Sequence, residues 1–169
     1  NFWMKKNNIN AIYEKEKILD SDLKDLIAKV QKGEISGINV TVPFKKKVID
    51  YLDQLSIGSK ITQSVNTISL NGKNLIGYNT DIDGFELAIK NINFNVLNKK
   101  ILILGAGGVV SSIIFALKKL KAQQIIVSNR TKEKAENLKK LFKDIEIINW
   151  GNVPDFDLII NATSVGLKK

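Results

Sequence analysis

From Lys100 to Ser164 the chain repeats one pattern, a short apolar run followed by a stretch with helical spacing. The apolar runs are "KILILG", "QIIVSN", "IEIINW" and "DLIINATS"; the helical stretches are 109–120 and "KEKAENLKKLF". Strands that are apolar on both faces need cover on both faces, and alternation with helices supplies it when the strands are parallel. This half is therefore expected to fold as a doubly wound parallel sheet. The most apolar stretch, 101–117, is shorter than the roughly 20 residues of a membrane-spanning helix and is interrupted by "GAGG" and "SS". It reads as a buried strand entering a helix, and no membrane association is expected.

The first half has a less regular rhythm. "FWMKKNN" looks like a helix end and "INAIYEK" like a strand. "SDLKDLIAKVQKG" carries Leu23, Leu26, Ile27 and Val30 at helical spacing, with Ser21 or Asp20 as N-cap and Gly33 as a stop. "ISGINVTVP" reads as a strand, "FKKKVIDYLDQL" as a helix with Pro43 in its first turn, and 57–63 as a further helix. "SVNTISLNGKNLIGYNTD" reads as a hairpin turned by Asn71-Gly72, and "DGFELAIKNI" as a short connecting helix. With only two prolines and no linker-like tract, the boundary follows the change of rhythm near 93–98, giving units 1–95 and 96–169.

Charge and missing residue types narrow the chemistry. The formal charge of +9 would suit nucleic acid, but 25 of the 26 cations are scattered lysines without interleaved aromatic platforms, so no nucleic-acid partner is expected. Without cysteine there is no disulfide framework, thiolate metal site or thiol nucleophile, which suits a reducing compartment. Without histidine, proton transfer falls to Lys, Asp, Glu or Tyr. No metal site is expected.

"LILGAGGVV", 102–110, lies between a strand and a helix, where glycines permit a tight turn and bring backbone amides to a pyrophosphate. The third glycine of G-x-G-x-x-G is replaced by Val110, and a ligand-free turn is the alternative reading. After the next strand, where an NAD site places a carboxylate, the chain reads Asn129-Arg130-Thr131, with Lys132 and Lys134 behind. A guanidinium grips a 2′-phosphate bidentately, so Arg130 favours NADP; its alternative is a surface residue at the sheet edge.

In "NVTVPFKKK", Phe44, Val48, Leu52 and Leu55 would form the buried stripe of a helix beginning near Pro43. Lys45 would then border that stripe in the first turn, where the helix dipole disfavours an ammonium and suits a lysine to proton transfer. A solvated charge remains the alternative for any single lysine.

Six short segments, "NVTVPFK", "SVNT", "GYNTDIDG", "GAGG", "NRT" and "INATSVG", in that order, resemble the shikimate dehydrogenase family across essentially the whole chain. The resemblance implies an N-terminal α/β substrate domain followed by a partial NADP-binding Rossmann domain. It implies NADPH-dependent, reversible reduction of 3-dehydroshikimate to shikimate, on the route to aromatic amino acids. The family's catalytic pair falls on Lys45 and Asp81, and its substrate-binding Thr and Asn on Thr41 and Asn66. Its cofactor loop falls on Gly105, Ala106, Gly107, Gly108 and Val109, its adenosine-phosphate clasp on Asn129, Arg130, Thr131 and Lys134, and later nucleotide contacts on Ala162, Thr163 and Ser164.

On their own, Asp81 could cap the following helix, and Thr41 and Asn66 could be ordinary strand and turn polar residues. The other functions considered are a quinate/shikimate dehydrogenase with relaxed substrate or cofactor choice and a silent NADP-binding paralogue. Retention of both Lys45 and Asp81 argues against silence. The family's serine-bearing motif is absent upstream and the chain stops at "SVGLKK", so an internal fragment of a longer enzyme is expected, cytoplasmic, monomeric or homodimeric, with a small-molecule substrate.

Overall fold

A computed structural model describes residues 2–166, in which two four-stranded sheets follow one another along the chain. The order begins with α1 (Phe2–Lys6), a 3-10 turn at Asp20–Asp22, α2 (Leu23–Gln31), β1 (Gly37–Asn39), a 3-10 helix at Lys47–Tyr51, β2 (Gln54–Leu55) and α3 (Ile57–Thr62). It continues with β3 (Thr67–Asn71), β4 (Asn74–Tyr78), α4 (Asp81–Asn91), β5 (Lys100–Leu104) and α5 (Val110–Lys119). The last elements are β6 (Gln124–Ser128), α6 (Lys132–Leu141), β7 (Glu146–Ile148) and β8 (Leu158–Asn161).

The first sheet is ordered β1-β3-β4-β2, with β3 antiparallel to β1 and β4, and β2 parallel to β4. Its core is the stripe of α2, Leu23, Ile27 and Val30, laid against Val48, Val65, Ile68 and Leu75. Burying each aliphatic side chain contributes about 1.5–3 kcal/mol, enough to hold a nine-residue helix that would be marginal alone. The helix stops in a Schellman motif. Gly33 lies at φ +75, its amide donates to the Val30 carbonyl and the Glu34 amide to that of Lys29. The N-cap residue of α2 is Asp22, rather than Ser21 or Asp20; the Asp22 carboxylate gives the helix no side-chain cap and accepts the Leu19 amide of the preceding turn. In the hairpin, Asn71 pairs with Asn74, so Gly72 and Lys73 form the loop and Gly72, at φ +62, supplies the left-handed position.

Two expected elements are replaced. "INAIYEK" forms no strand: no described strand pairs with it, and Ile12 is 88% exposed. A β-prone run without a ladder partner leaves its backbone groups to water. The expected helix over "FKKKVIDYLDQL" is a turn followed by the 3-10 helix, and Leu52 is already extended at φ −107, ψ 140. The apolar stripe nevertheless faces the core: Val48 is fully enclosed, and Phe44, Leu52 and Leu55, half-buried, pack beside it. Pairing overrides helix spacing here. The Asp53 amide donates to the Leu75 carbonyl and its carboxylate accepts the Leu75 amide, drawing 54–55 onto β4.

The second sheet is parallel throughout, in the order β7-β6-β5-β8. Ile101, Leu102 and Ile103 are fully buried, as the unbroken apolar run requires. The inward residues of α5, Val110, Ile113, Ile114 and Leu117, join Ile101 and Ile103 in one core with Ala135 and Leu138 of α6. The chain builds β6 and β7 to one side of β5 and then crosses to place β8 on the other. The reversal leaves a crevice between the carboxyl ends of β5 and β8, where ligands of such sheets bind.

Asp157 fastens the start of β8 to β5. Its carboxylate accepts the Lys100 amide at 2.8 Å and the Lys99 ammonium at 3.0 Å, while its own amide donates to the Lys100 carbonyl. The Lys100 amide first, then the Lys99 ammonium, hold this carboxyl below the ordinary aspartate value. Its pKa is thus lower in the folded than in the unfolded state, so its stabilisation is complete above about pH 4 and is lost as pH falls through the folded value. Asp157→Asn should lower the denaturant midpoint at pH 7 and flatten that part of the acid limb, so that the two proteins converge as pH falls from 5 to 2.

Candidate active site

Backbone pairing at the edge of the first sheet gathers the polar residues. The Val40 amide donates to the Asn66 carbonyl, the Val65 amide to that of Lys45, and the Asn66 amide to that of Tyr78. The turn carrying Thr41 and Lys45 is thereby laid over the start of β3, and the end of β4 lies on its other side. Three residues past β4 the chain enters α4, whose first residue is Asp81.

These pairings bring Lys45 and Asp81, 36 residues apart, into an ion pair with Nζ 2.7 Å from Oδ2. Their side chains are 17% and 25% exposed, so the pair is largely withdrawn from water yet open on one side. The other carboxylate oxygen, Oδ1, accepts Asn66 Nδ2 at 2.9 Å. Asn66 Oδ1 in turn accepts the Thr80 amide, the Thr80 hydroxyl and the Thr67 hydroxyl. Four contacts fix which end of the amide faces the carboxylate. Asp81 is therefore held on both oxygens and presents a fixed edge.

The expected dipole at Lys45 is absent, because its segment is a turn and not the first turn of an α-helix. The helix end at the site is that of α4, whose positive end lies at the Asp81 carboxylate and favours its charge. Asp81 does not cap that helix with its side chain, and the N-cap residue is Thr80. Thr41 is exposed on the same turn as Lys45, and its carbonyl accepts the Phe44 amide.

The glycine loop follows β5 at the crevice of the second sheet. The Gly105 amide donates to the Ser128 carbonyl at the end of β6, and the Ala162 amide to that of Leu104. Gly105 has φ +113, and a Cβ on it would stand 2.7 Å from the Ala162 carbonyl oxygen and 3.2 Å from Thr163 Cγ2. Only glycine fits there. Gly107, Gly108 and Val109 are exposed above the crevice and Ala106 is half-buried.

Asn129 Nδ2 donates to the Thr131 carbonyl and shapes the turn that presents Arg130, Thr131 and Lys134, all exposed at the carboxyl end of β6. One carboxylate, Glu133, stands among Arg130, Lys132 and Lys134, so the patch is net positive. Beyond β8, Asn161 Oδ1 accepts the amide and hydroxyl of Thr163, folding Ala162, Thr163 and Ser164 beside Gly105. The small loop, open amides and cationic turn have the shape and charge for a dinucleotide carrying an extra phosphate.

The two clusters face one another. A Cβ built on Gly108 would lie 3.7 Å from Val42 Cγ2, so the turn bearing Lys45 abuts the glycine loop. Sequence reasoning assigned nothing to Asn79 or Ser112, which are buried behind Asp81 and hydrogen-bonded to each other. The available signal was an asparagine two residues before the aspartate in "YNTD".

Comparison with known proteins finds two family models along the chain. The family described as "Shikimate dehydrogenase substrate binding domain" matches residues 1–68, and "Shikimate / quinate 5-dehydrogenase" matches 86–166. The chain is 57% identical, over its whole length, to a Pelagibacter ubique protein named shikimate dehydrogenase (NADP(+)), and spans 64% of that protein's length. Among solved structures, Aquifex aeolicus shikimate dehydrogenase superposes with TM-score 0.88 at 37% identity, covering 98% of this chain and 62% of that one. Thermus thermophilus shikimate 5-dehydrogenase, solved with NADP(H) and shikimate, superposes with TM-score 0.84 at 29% identity, covering 97% and 61%.

Gly105→Ala should lower stability by about 3 kcal/mol, from the clash with the Ala162 carbonyl and the left-handed backbone together. At Gly107 the nearest atom to an added Cβ is 3.8 Å away, and Gly107→Ala should stay within about 1 kcal/mol of the unaltered protein. Denaturant unfolding of the two variants distinguishes them.

Proposed function

The chain belongs to the shikimate dehydrogenase family, and we propose that it is the central part of an NADP-dependent shikimate dehydrogenase that interconverts 3-dehydroshikimate and shikimate. Residues 1–95 act as the substrate domain and 96–169 as the cofactor domain. The observation that carries the reading is the Lys45–Asp81 pair at 2.7 Å, on a turn that abuts the glycine loop. A proton-bearing group and a cofactor cradle on the two sides of one cleft are what hydride transfer to a carbonyl requires.

NADPH, when bound, supplies the hydride. The Lys45 ammonium points its N–H at the C3 carbonyl oxygen and delivers the proton as charge builds there; in the reverse direction the amine takes the proton of the C3 hydroxyl. A fixed cation where negative charge develops stabilises the transition state more than the ground state, and removing one such donor typically costs about 3–4 kcal/mol. Asp81 keeps the ammonium aimed and accepts a hydrogen bond from a ring hydroxyl. Asn66, with one amide hydrogen committed to Asp81, offers the other to the ring, and Thr41 offers its hydroxyl from the same turn as Lys45. Together they fix the face of the ring presented to the cofactor.

On the cofactor side, Gly105 to Val109 leave room for the pyrophosphate, and Asn129, Arg130, Thr131 and Lys134 clasp the adenosine 2′-phosphate. Ala162, Thr163 and Ser164 line the nucleotide beyond β8. No described helix is long and apolar enough to cross a membrane, and the substrate is a small molecule. A cytoplasmic location, monomer or homodimer, and no nucleic-acid partner complete the proposal.

Shikimate-dependent reduction of NADP by the full-length protein tests this reading, with quinate and NAD as controls. Lys45→Ala should reduce kcat by about a thousandfold with NADP affinity within about twofold. A variant that keeps most of its turnover removes Lys45 from the reaction. Arg130→Ala should raise KM for NADP by at least about tenfold and leave the weak use of NAD unchanged, narrowing the preference between them.

A further inference from the structure

Behind the Lys45–Asp81 pair, three short elements meet in a buried polar knot. Asn79, 6% exposed, lies between β4 and α4; Thr62, 2% exposed, ends α3; Ser112, fully buried, is the third residue of α5. Both hydrogens of Asn79 Nδ2 are used, one on Thr62 Oγ1 and one on Ser112 Oγ, each at 2.9 Å. Asn79 Oδ1 accepts the backbone amide of Asp81 at 3.2 Å, and the Thr62 hydroxyl donates to the Gly58 carbonyl.

This arrangement settles how α4 begins. The first amides of a helix have no partner within it. The N-cap residue, Thr80, contributes no side-chain cap, and its hydroxyl donates to Asn66 instead. The amide of Asp81 is satisfied by Asn79, so the residue that sets the backbone beneath the carboxylate is the same one that grips α5. Ser112 stands seven residues after Gly105, in the first turn of the helix that follows the glycine loop.

We propose that Asn79 is a positioning residue for Asp81, and that its bond to Ser112 sets the distance between the Lys45–Asp81 pair and the cofactor loop. The inference rests on the proposed role of that pair. An apolar side chain at 79 would fill the same space but would leave the Asp81 amide and the Ser112 hydroxyl without this partner. The pair would then be free to shift relative to α5. Such a shift weakens contacts made in the transition state while leaving each ligand's own binding site intact.

The test uses the full-length protein and the variants Ser112→Ala, Asn79→Ala and the double variant. Ser112→Ala removes one buried hydroxyl and no core volume of consequence, so it folds even if Asn79→Ala does not. Its kcat for shikimate oxidation should fall about tenfold, with KM for shikimate and for NADP within about twofold. The double variant should be no slower than Asn79→Ala alone, since the two residues act through one bond. Unchanged kcat, or losses that multiply, overturns the inference.

A second readout does not depend on turnover. Hydrogen exchange of the Asp81 amide should be at least about tenfold faster in Ser112→Ala, measured against Ala88 and Ile89 of the same helix. Unchanged exchange also overturns the proposal. If the unaltered protein fails to oxidise shikimate, the functional reading falls and the exchange result still decides the role of Asn79.

Discussion

A lysine ammonium and an aspartate carboxylate 2.7 Å apart, both mostly withdrawn from water, set the terms for everything around them. A charge pair taken out of water is tolerated when the remaining lone pairs and hydrogens find partners; otherwise desolvation outweighs the attraction. Here the second carboxylate oxygen is taken by Asn66, whose own oxygen is held by Thr67 and Thr80. The positive end of α4 lies at the same carboxylate. The pair keeps some exposure to water, on a turn that abuts the glycine loop. A site so braced keeps its charges in place without substrate, which is the preorganisation that transition-state stabilisation demands.

The two sheets contribute to that arrangement in different ways. The mixed first sheet brings distant residues together by backbone pairing alone: β3 is gripped by the turn of Lys45 on one side and by β4, which leads to Asp81, on the other. The parallel second sheet creates its crevice by topology, at the reversal between β5 and β8. Between them, α4 and α5 share the ion pair of Lys119 with Glu86, and Asn79, just ahead of α4, donates to Ser112 of α5. In the proposed reading, the spacing between the Lys45–Asp81 pair and the glycine loop is governed by contacts that touch neither ligand.

Much of this was legible in the sequence where one physical rule acts alone. The runs at β5 and β6 are apolar on both faces and could only be interior parallel strands; Gly33 and Gly72 stand at left-handed positions as turn chemistry requires. The failures occur where two rules compete. Phe44, Val48, Leu52 and Leu55 keep helical spacing and face the core, Val48 buried and the others half-buried, but Asp53 pairs with Leu75 and the backbone leaves the helix. "INAIYEK" has the composition of a strand and no neighbour to pair with among the described residues. Lys45 was singled out through a helix that does not form, and its partnership with Asp81 came from family resemblance. No local rule reveals a contact across 36 residues. Asn79 was passed over for the same reason, since a buried amide between two helices looks like any turn asparagine until the fold closes.

The most direct test of the account is a crystal structure of the full-length protein with shikimate and NADP+ bound together. The account predicts the C3 hydroxyl of the ring about 3 Å from Lys45 Nζ, with the Asp81 carboxylate on the same ring and the nicotinamide over its C3–H. A ring bound with C3 turned away from Lys45, or a lysine still paired to Asp81 but facing solvent while another group meets the C3 oxygen, would contradict it.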